Sequence, residues 1–494
     1  MKCSQQSTNK VRATAIAFIM LALVFAGVVR PAQAQTFNVL YSFEGLNEGE
    51  GANPYGLVQG SDGFLYGVTG GGGQKDSLDG VFFKISTSGN LTNLCSFFYT
   101  GHCQAGGDPL AALSIASNGD FYGTDNGGQV WQLTPTGKLK VLYKADNPGH
   151  APPIQASNGD LYGTNYGGLY ANCGDSYCGS VFKLTTSGKE TTLYSFCADE
   201  QNGVCIDGQY PSYSLVEGSD GNLYGTTSAG GNDGVNAGSG TMFKITLDGA
   251  LTTIYNFPGD TPPSSALIEG ADGNFYGTTL TGGTGQYGSG DEAGTFFKAT
   301  TSGDVTYLYN FCSLPNCADG SQPQNIYLAT DGNFYGITWF GGANGLGTIF
   351  HITPSGTLTT LLSFDGTNGN AQQWSNSIVQ DTNGILYGTV GGGGAGYPNC
   401  PGTCGGVVFS LDMGLGPFVK TLPTSGKVNA KVKILGTDLI GATSVTFNGT
   451  AATFKVASGS EITTTVPEGA TTGVVKVVTA GGTTLTSNTV FQVP

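Results

Sequence analysis

Apolar and polar positions along this chain fall into short bursts, four to a unit, with glycine-rich breaks between them. A unit opens on a brief apolar stretch such as Tyr213–Val216 (YSLV) or Ala266–Ile268 (ALI). An Asp-Gly or Asn-Gly pair follows, and then a run built on Tyr-Gly, as in Leu223–Thr227 (LYGTT). After a Gly-rich segment of variable length comes Gly-x-x-aromatic, then a Ser/Thr/Asp-Gly pair and a run such as Leu251–Phe257 (LTTIYNF) or Thr191–Phe196 (TTLYSF). β-Branched and aromatic residues in short runs between turn residues predict strands. Each unit therefore predicts four strands joined by tight turns.

The unit recurs seven times. Ser61–Thr69 (SDGFLYGVT), Ser219–Thr227 (SDGNLYGTT), Ala271–Thr279 (ADGNFYGTT) and Thr330–Thr338 (TDGNFYGIT) are close copies. Ser117–Thr124, Ser157–Thr164 and Thr382–Thr389 are looser ones with Asn in place of Asp. Their tyrosines are Tyr66, Tyr122, Tyr162, Tyr224, Tyr276, Tyr335 and Tyr387, with gaps of 40 to 62 residues. The aromatic column of the third strand is Phe83, Trp131, Phe182, Phe243, Phe297, Phe350 and Phe409. Periods of this size mark propellers and arrays, because one small sheet cannot bury its own faces. The predicted fold class is all-β, with a seven-bladed β-propeller over residues 35–413. The seventh unit stops at Val407–Leu411 (VVFSL), one strand short, and Phe37–Phe43 (FNVLYSF) matches the missing strand. An N-terminal strand in the last blade would remove exposed sheet edges. The repeated nonapeptide reads as scaffold, since Asp-Gly and Asn-Gly suit hairpin turns that need positive φ.

Units such as Asp220–Phe257 (DGNLYGTTSAGGNDGVNAGSGTMFKITLDGALTTIYNF) resemble the GloVer-type tandem repeats of bacterial choice-of-anchor surface proteins. The YGTT, GTxFK and SG-x-LT-x-LYSF elements recur in order over residues 36–412. The resemblance implies a secreted, propeller-like repeat protein and no particular chemistry. Residues 414–494 read differently, with strands at Lys431–Leu435, Ser444–Phe447, Glu461–Val466, Gly473–Val478 and Thr489–Val493. This spacing predicts an Ig-like β-sandwich. Gly436–Gly449 (GTDLIGATSVTFNG) and Val466–Thr479 (VPEGATTGVVKVVT) resemble an IPT/TIG domain, which implies a spacer or interaction module.

Composition narrows the compartment and the partners. Lys2, Lys10 and Arg12, the apolar run Ala13–Val29 and Ala32-Gln33-Ala34 predict a signal peptide over residues 1–34, cleaved after Ala34, and a secreted or cell-surface protein. Its loss removes four basic groups (Lys2, Lys10, Arg12, Arg30) and takes the formal charge from −15 to −19. No Arg follows Arg30, so phosphate backbones and anionic lipid are poor partners and nucleic acid is excluded as an expectation. No other stretch has membrane-spanning length, and nothing signals an oligomeric state. Ten cysteines remain as near neighbours: Cys95/Cys103, Cys173/Cys178, Cys197/Cys205, Cys312/Cys317 and Cys400/Cys404. In an exported chain these predict disulfides, adjacent pairing being the simplest connectivity, and no C-x₂-C pair suggests a metal.

Catalytic signatures are absent: no G-x-S-x-G, G-K-[ST] loop, H-E-x-x-H or calcium loop, and no cofactor motif. His351 and the column Lys84, Lys183, Lys244 and Lys298 read as one strand face. Any ligand is expected on the variable-loop side, away from the nonapeptide turns. The candidate binding residues are the loop aromatics Trp339, Trp374, Tyr287, Tyr170, Tyr177 and Tyr397, suited to stacking on sugars. The expected function is non-enzymatic binding of an extracellular polysaccharide or a surface protein. The competing reading is a propeller lyase or glycoside hydrolase using loop carboxylates such as Glu48, Glu50, Asp175, Asp291 and Glu292.

Overall fold

A computed structural model describes residues 35–493 apart from 46–48, 50, 74–78, 98–102, 104–107, 145–150, 168–177, 202–203, 233–237, 260, 288–290, 373–375 and 398–404. The described residues are all-β, with a single 3₁₀ turn at Pro315–Cys317 and no α-helix. The repeats form seven antiparallel sheets of four strands, numbered here in chain order, two of them extended by a short extra strand. The fourth sheet is typical: Val216–Glu217, Leu223–Ala229, Thr241–Ile245 and Leu251–Asn256 pair in sequence, with Gln209–Pro211 added on Leu223–Ala229. Burial grades across each sheet. The second strand is buried at nearly every position, while the fourth is partly exposed.

One pairing explains the aromatic column. The glycine after each repeat tyrosine lies opposite the third-strand aromatic, as Gly225 does Phe243 and Gly67 does Phe83. A Cβ on Gly225 would stand 2.5 Å from Phe243 Cζ, and one on Gly123 would stand 2.2 Å from Trp131 Cη2. The ring therefore lies across the bare glycine, and each buried aromatic contributes about 1.5–3 kcal/mol of apolar transfer.

The N-terminal strand takes the predicted place. Thr36–Ser42 pairs antiparallel with Val407–Asp412 as the fourth strand of the seventh sheet. Its register slips between Val39 and Tyr41, as the third- and fourth-strand pairs of the other six sheets slip at the corresponding point.

Every sheet is joined to the next, and the seventh to the first. At one end of the sheets, a Gln or Glu closing a first strand accepts a backbone N–H from the preceding sheet's nonapeptide turn. Gln155 accepts from Ser117, Glu217 from Ser157, Glu269 from Ser219, Gln380 from Thr330, and Gln59 from Thr382. At the opposite end, Asn53, Asp108, Tyr210 and Gln322 donate their backbone N–H groups to Gly405, Asp79, Cys178 and Ala293. Together these bonds span all seven junctions. Mixed clusters bury the same boundaries, for example Tyr387 and Val408 with Leu57, Leu65 and Phe83 between the seventh and first sheets. The circuit closes by packing and hydrogen bonds, each sheet keeping its own edges.

After Pro417 the chain forms two further four-stranded sheets around one core, including Val432, Ile434, Val445, Phe447, Ile462, Val475, Val477 and Phe491. This unit lies against the nonapeptide turns. Ser460 Oγ donates to Ser61 O at 2.7 Å, Phe418 N to Thr382 O at 3.0 Å and Lys433 Nζ to Asn118 O at 3.5 Å. The C-terminal unit therefore covers part of the turn end.

Candidate functional site

The turn end is committed to structure. In all seven copies the Asp or Asn of the turn accepts a backbone N–H two residues on, as Asp220 Oδ1 does from Asn222 at 3.1 Å. The same side chain bonds the tyrosine hydroxyl four residues on. Tyr224 donates to Asp220 at 2.8 Å, whereas Asn158 Nδ2 donates to the Tyr162 hydroxyl at 2.7 Å. A hydroxyl donates or accepts, which is why Asp and Asn interchange here. Burial raises Asp220, but bonds from Asn222 and Tyr224 outweigh it and hold the carboxyl below its ordinary pKa. Three of the four column lysines are half-buried and paired: Lys183 meets Asp160 at 2.8 Å, and Lys84 and Lys298 meet Asp62 and Asp272. His351, in the same column, lies 5.7 Å from the Tyr335 ring, and burial lowers its pKa.

A cavity of about 590 Å³ remains where the C-terminal unit faces the turns of the fifth and sixth sheets. Leu328, Phe334, Pro354, Pro417 and Phe418 give it an apolar wall. Its one carboxylate, Asp272, already accepts from Asn274 and Tyr276. Beside it Lys420 donates to Gln380 O, and burial pushes its ammonium down to about 8 against the attraction of Asp381.

The loop end is built differently. Pro54, Pro109, Pro211, Pro263 and Pro323 each pair with the second-strand residue three places after the repeat tyrosine: Thr69, Asp125, Thr227, Thr279 and Thr338. Those threonines hold the sheet from within, as Thr227 Oγ1 accepts Thr241 N at 2.8 Å. Asp125 does the same with a carboxylate, accepting Gly127 N at 2.9 Å and Gln129 N at 3.0 Å. Burial pushes its pKa up to about 6, against those backbone bonds and Lys144. Sequence reasoning missed both columns, although the proline stands 12 or 13 residues before each tyrosine.

Around these prolines the aromatic residues gather. Tyr55 lies over Gly70, where a Cβ would meet the ring at 2.8 Å. Tyr166 stacks on Tyr210 with centroids 4.9 Å apart and planes 22° apart. Trp339 occupies the place of Tyr166 in the sixth sheet, two positions after Ile337, and is 8% exposed, edge-on to Phe340. Tyr397 packs its ring against Gly366. Tyr287 is a strand residue opposite Asp291 in a short hairpin with Glu292. Tyr170, Tyr177, Trp374, Glu48, Glu50 and Asp175 lie outside the described residues. Tyr55 and Tyr210 lie outside the sequence-derived set because they stand beside prolines and not in the long Gly-rich loops, and Tyr166 because it directly follows the strand Leu161–Asn165.

Disulfides tie the crossings at this end. Cys95–Cys103, Cys197–Cys205 and Cys312–Cys317 are bridged, as expected from adjacent pairing. Cys178 is also disulfide-bonded, while Cys173, Cys400 and Cys404 lie outside the described residues. The sulfurs of Cys178, Cys197 and Cys205 lie within 4.8 Å of one another, so what resembles a metal triad is a cluster of oxidised sulfur. Two buried carboxylates hold the loops. Asp207 accepts from Cys197 N, Ala198 N and the Tyr194 hydroxyl, and Asp319 accepts from Ser313 N, Leu314 N and the Tyr309 hydroxyl. Both carboxylates serve the loop backbone.

A model of the Gloeobacter/Verrucomicrobia repeat matches residues 27–203, 123–289 and 262–453. No curated protein matches the chain. Among solved structures, a streptogramin B lyase is similar at TM-score 0.47 and 19% identity, over 76% of this chain and 97% of that one. An oligogalacturonate lyase from Vibrio parahaemolyticus follows at TM-score 0.45 and 12% identity, over 77% and 97%. The luciferin-regenerating enzyme gives TM-score 0.39 and 13% identity, over 62% and 92%.

Proposed function

The chain belongs to the Gloeobacter/Verrucomicrobia repeat family, and we propose that it is a secreted, non-enzymatic binding protein that holds extracellular carbohydrate on the loop end of a seven-bladed propeller. Residues 35–413 are the propeller, with the N-terminal strand completing the last blade. Residues 414–494 are an immunoglobulin-like domain of the IPT/TIG kind. Residues 1–34 direct export, which suits the disulfide-bonded cysteines. One observation carries the reading: the two ends of the sheets are used differently. The turn end is filled by Asp/Asn–Tyr bonds and partly covered by the C-terminal unit. The loop end carries variable crossings tied by disulfides and bordered by Tyr55, Tyr166, Tyr210 and Trp339. Variable loops on a rigid frame are where binding surfaces are built, and disulfides lower the entropy cost of ordering them. The test is a glycan array on the mature protein beside a reducing-sugar release assay on the same glycans. Retention without release supports binding; release of reducing ends supports the lyase or hydrolase alternative.

A further inference from the structure

Asn53, Asp108, Tyr210 and Gln322 hold φ angles of 55°, 57°, 58° and 55°, in the left-handed region that favours glycine. Each stands directly before a proline of the loop-end column, and each sends its backbone N–H to the preceding sheet at 2.7 to 3.0 Å. That inter-sheet bond accounts for the conformation. It needs the backbone alone, and glycine would adopt it with less strain. The chain has 83 glycines, and it places one at the positive-φ position of all seven nonapeptide turns, from Gly63 to Gly384. At these four junctions it places side chains instead.

Those side chains make few hydrogen bonds to the frame. Among the described residues, Asn53 and Gln322 make no side-chain hydrogen bond, and the Tyr210 hydroxyl makes none while its ring stacks on Tyr166. Asp108 is exposed and bonds Asn126. A backbone fixed by the fold thus presents two amides of different length, a phenol and a carboxylate at equivalent places in the first, second, fourth and sixth sheets. Resting on the carbohydrate-binding reading above, we infer that Asn53, Asp108, Tyr210 and Gln322 are the specificity-determining residues of the loop end, and that they read a neutral polysaccharide. Amide and phenol groups both donate and accept, matching the hydroxyls of a sugar, and the stacked Tyr166–Tyr210 pair supplies an apolar face. No Lys or Arg stands among the four, and the exposed carboxyl of Asp108 disfavours a uronic-acid polymer.

Replacement by glycine separates side chain from scaffold, because it keeps the N–H and relieves the backbone. The mature full-length protein and its N53G/D108G/Y210G/Q322G variant are run by affinity electrophoresis through laminarin, xylan, galactomannan and polygalacturonate. The expected result is an unchanged or raised Tm for the variant, with retardation in the neutral polymer weakened at least tenfold. Tyr210→Phe, which keeps the stack, should weaken it less. Wild-type retardation that survives in the glycine variant overturns this inference and leaves the carbohydrate reading standing. A fall in Tm overturns the premise that the side chains are spare. Retardation strongest in polygalacturonate overturns the neutral class, and a wild type retarded by none of the four overturns the carbohydrate reading itself.

Discussion

The side-chain amide of Gln59 donates to the hydroxyl of Thr382 at 2.7 Å, joining residues 323 positions apart. Its carbonyl oxygen accepts the Thr382 N–H at 3.3 Å. Gln59 closes the first strand of the first sheet, and Thr382 opens the nonapeptide turn of the seventh. The pair is therefore the seam of the circuit, alongside the N-terminal strand on Val407–Asp412.

Gln59→Leu keeps the volume and removes both hydrogen bonds. The Thr382 hydroxyl retains Thr437 Oγ1 at 3.1 Å, but its buried N–H loses its acceptor. An unsatisfied buried donor costs about 1–3 kcal/mol. Urea unfolding should show a loss in that range; a change near zero would mean the seam is held by apolar packing alone.

Gly225→Ala tests the glycine beneath the aromatic column. The new Cβ would stand 2.5 Å from Phe243 Cζ and 2.8 Å from Leu215 Cδ2. Overpacking of this kind costs about 1–3 kcal/mol. Adding Phe243→Leu should recover part of it, so the two changes should be non-additive in a double-mutant cycle. Additive losses would show that the ring does not need the bare glycine.

Much of this frame was legible in the sequence, and the physical reason is periodicity. Tyr224, Gly225 and Phe243 recur because every sheet repeats the same burial, and Phe37–Phe43 copies a fourth strand closely enough to be placed. The columns that join sheets left a fainter trace. Gln59, Gln155, Glu217, Glu269 and Gln380 look like ordinary polar ends of strands, since their partners lie in other units. The left-handed backbone at Asn53 and Tyr210 has no hydrophobic signature at all. The docking of the C-terminal unit rests on Ser460, Phe418 and Lys433, scattered polar and apolar positions that form no pattern along the chain.

Asp220→Asn should be tolerated, within about 0.5 kcal/mol. The Tyr224 hydroxyl can turn from donor to acceptor, the arrangement already present at Asn118, Asn158 and Asn383. Asp220→Ala removes the turn bond and the partner of a part-buried hydroxyl together, and should cost about 1–3 kcal/mol. Equal losses for the two variants would mean that the charge, and not the hydrogen-bond geometry, is what the turn requires.

Asp125 gives a pH dependence of definite sign. It is fully buried, and its folded-state pKa rises from the ordinary 3.8 to about 6. Between those values the folded chain holds a proton that the unfolded chain has released, so this group's stability contribution falls as pH rises from about 4 to 6. Above 6 the charged carboxylate is carried buried, at a cost on the order of 2–3 kcal/mol. Asp125→Asn keeps an oxygen for Gly127 N and Gln129 N without the charge. The difference in unfolding free energy between variant and wild type should therefore be smallest near pH 4 and grow in favour of the variant, by on the order of 2–3 kcal/mol, up to pH 7. Because other carboxylates titrate alike in both proteins, urea unfolding at pH 4, 5, 6 and 7 isolates this one in the difference. Parallel curves would show that Asp125 is charged throughout, its burial fully offset by the backbone bonds it accepts.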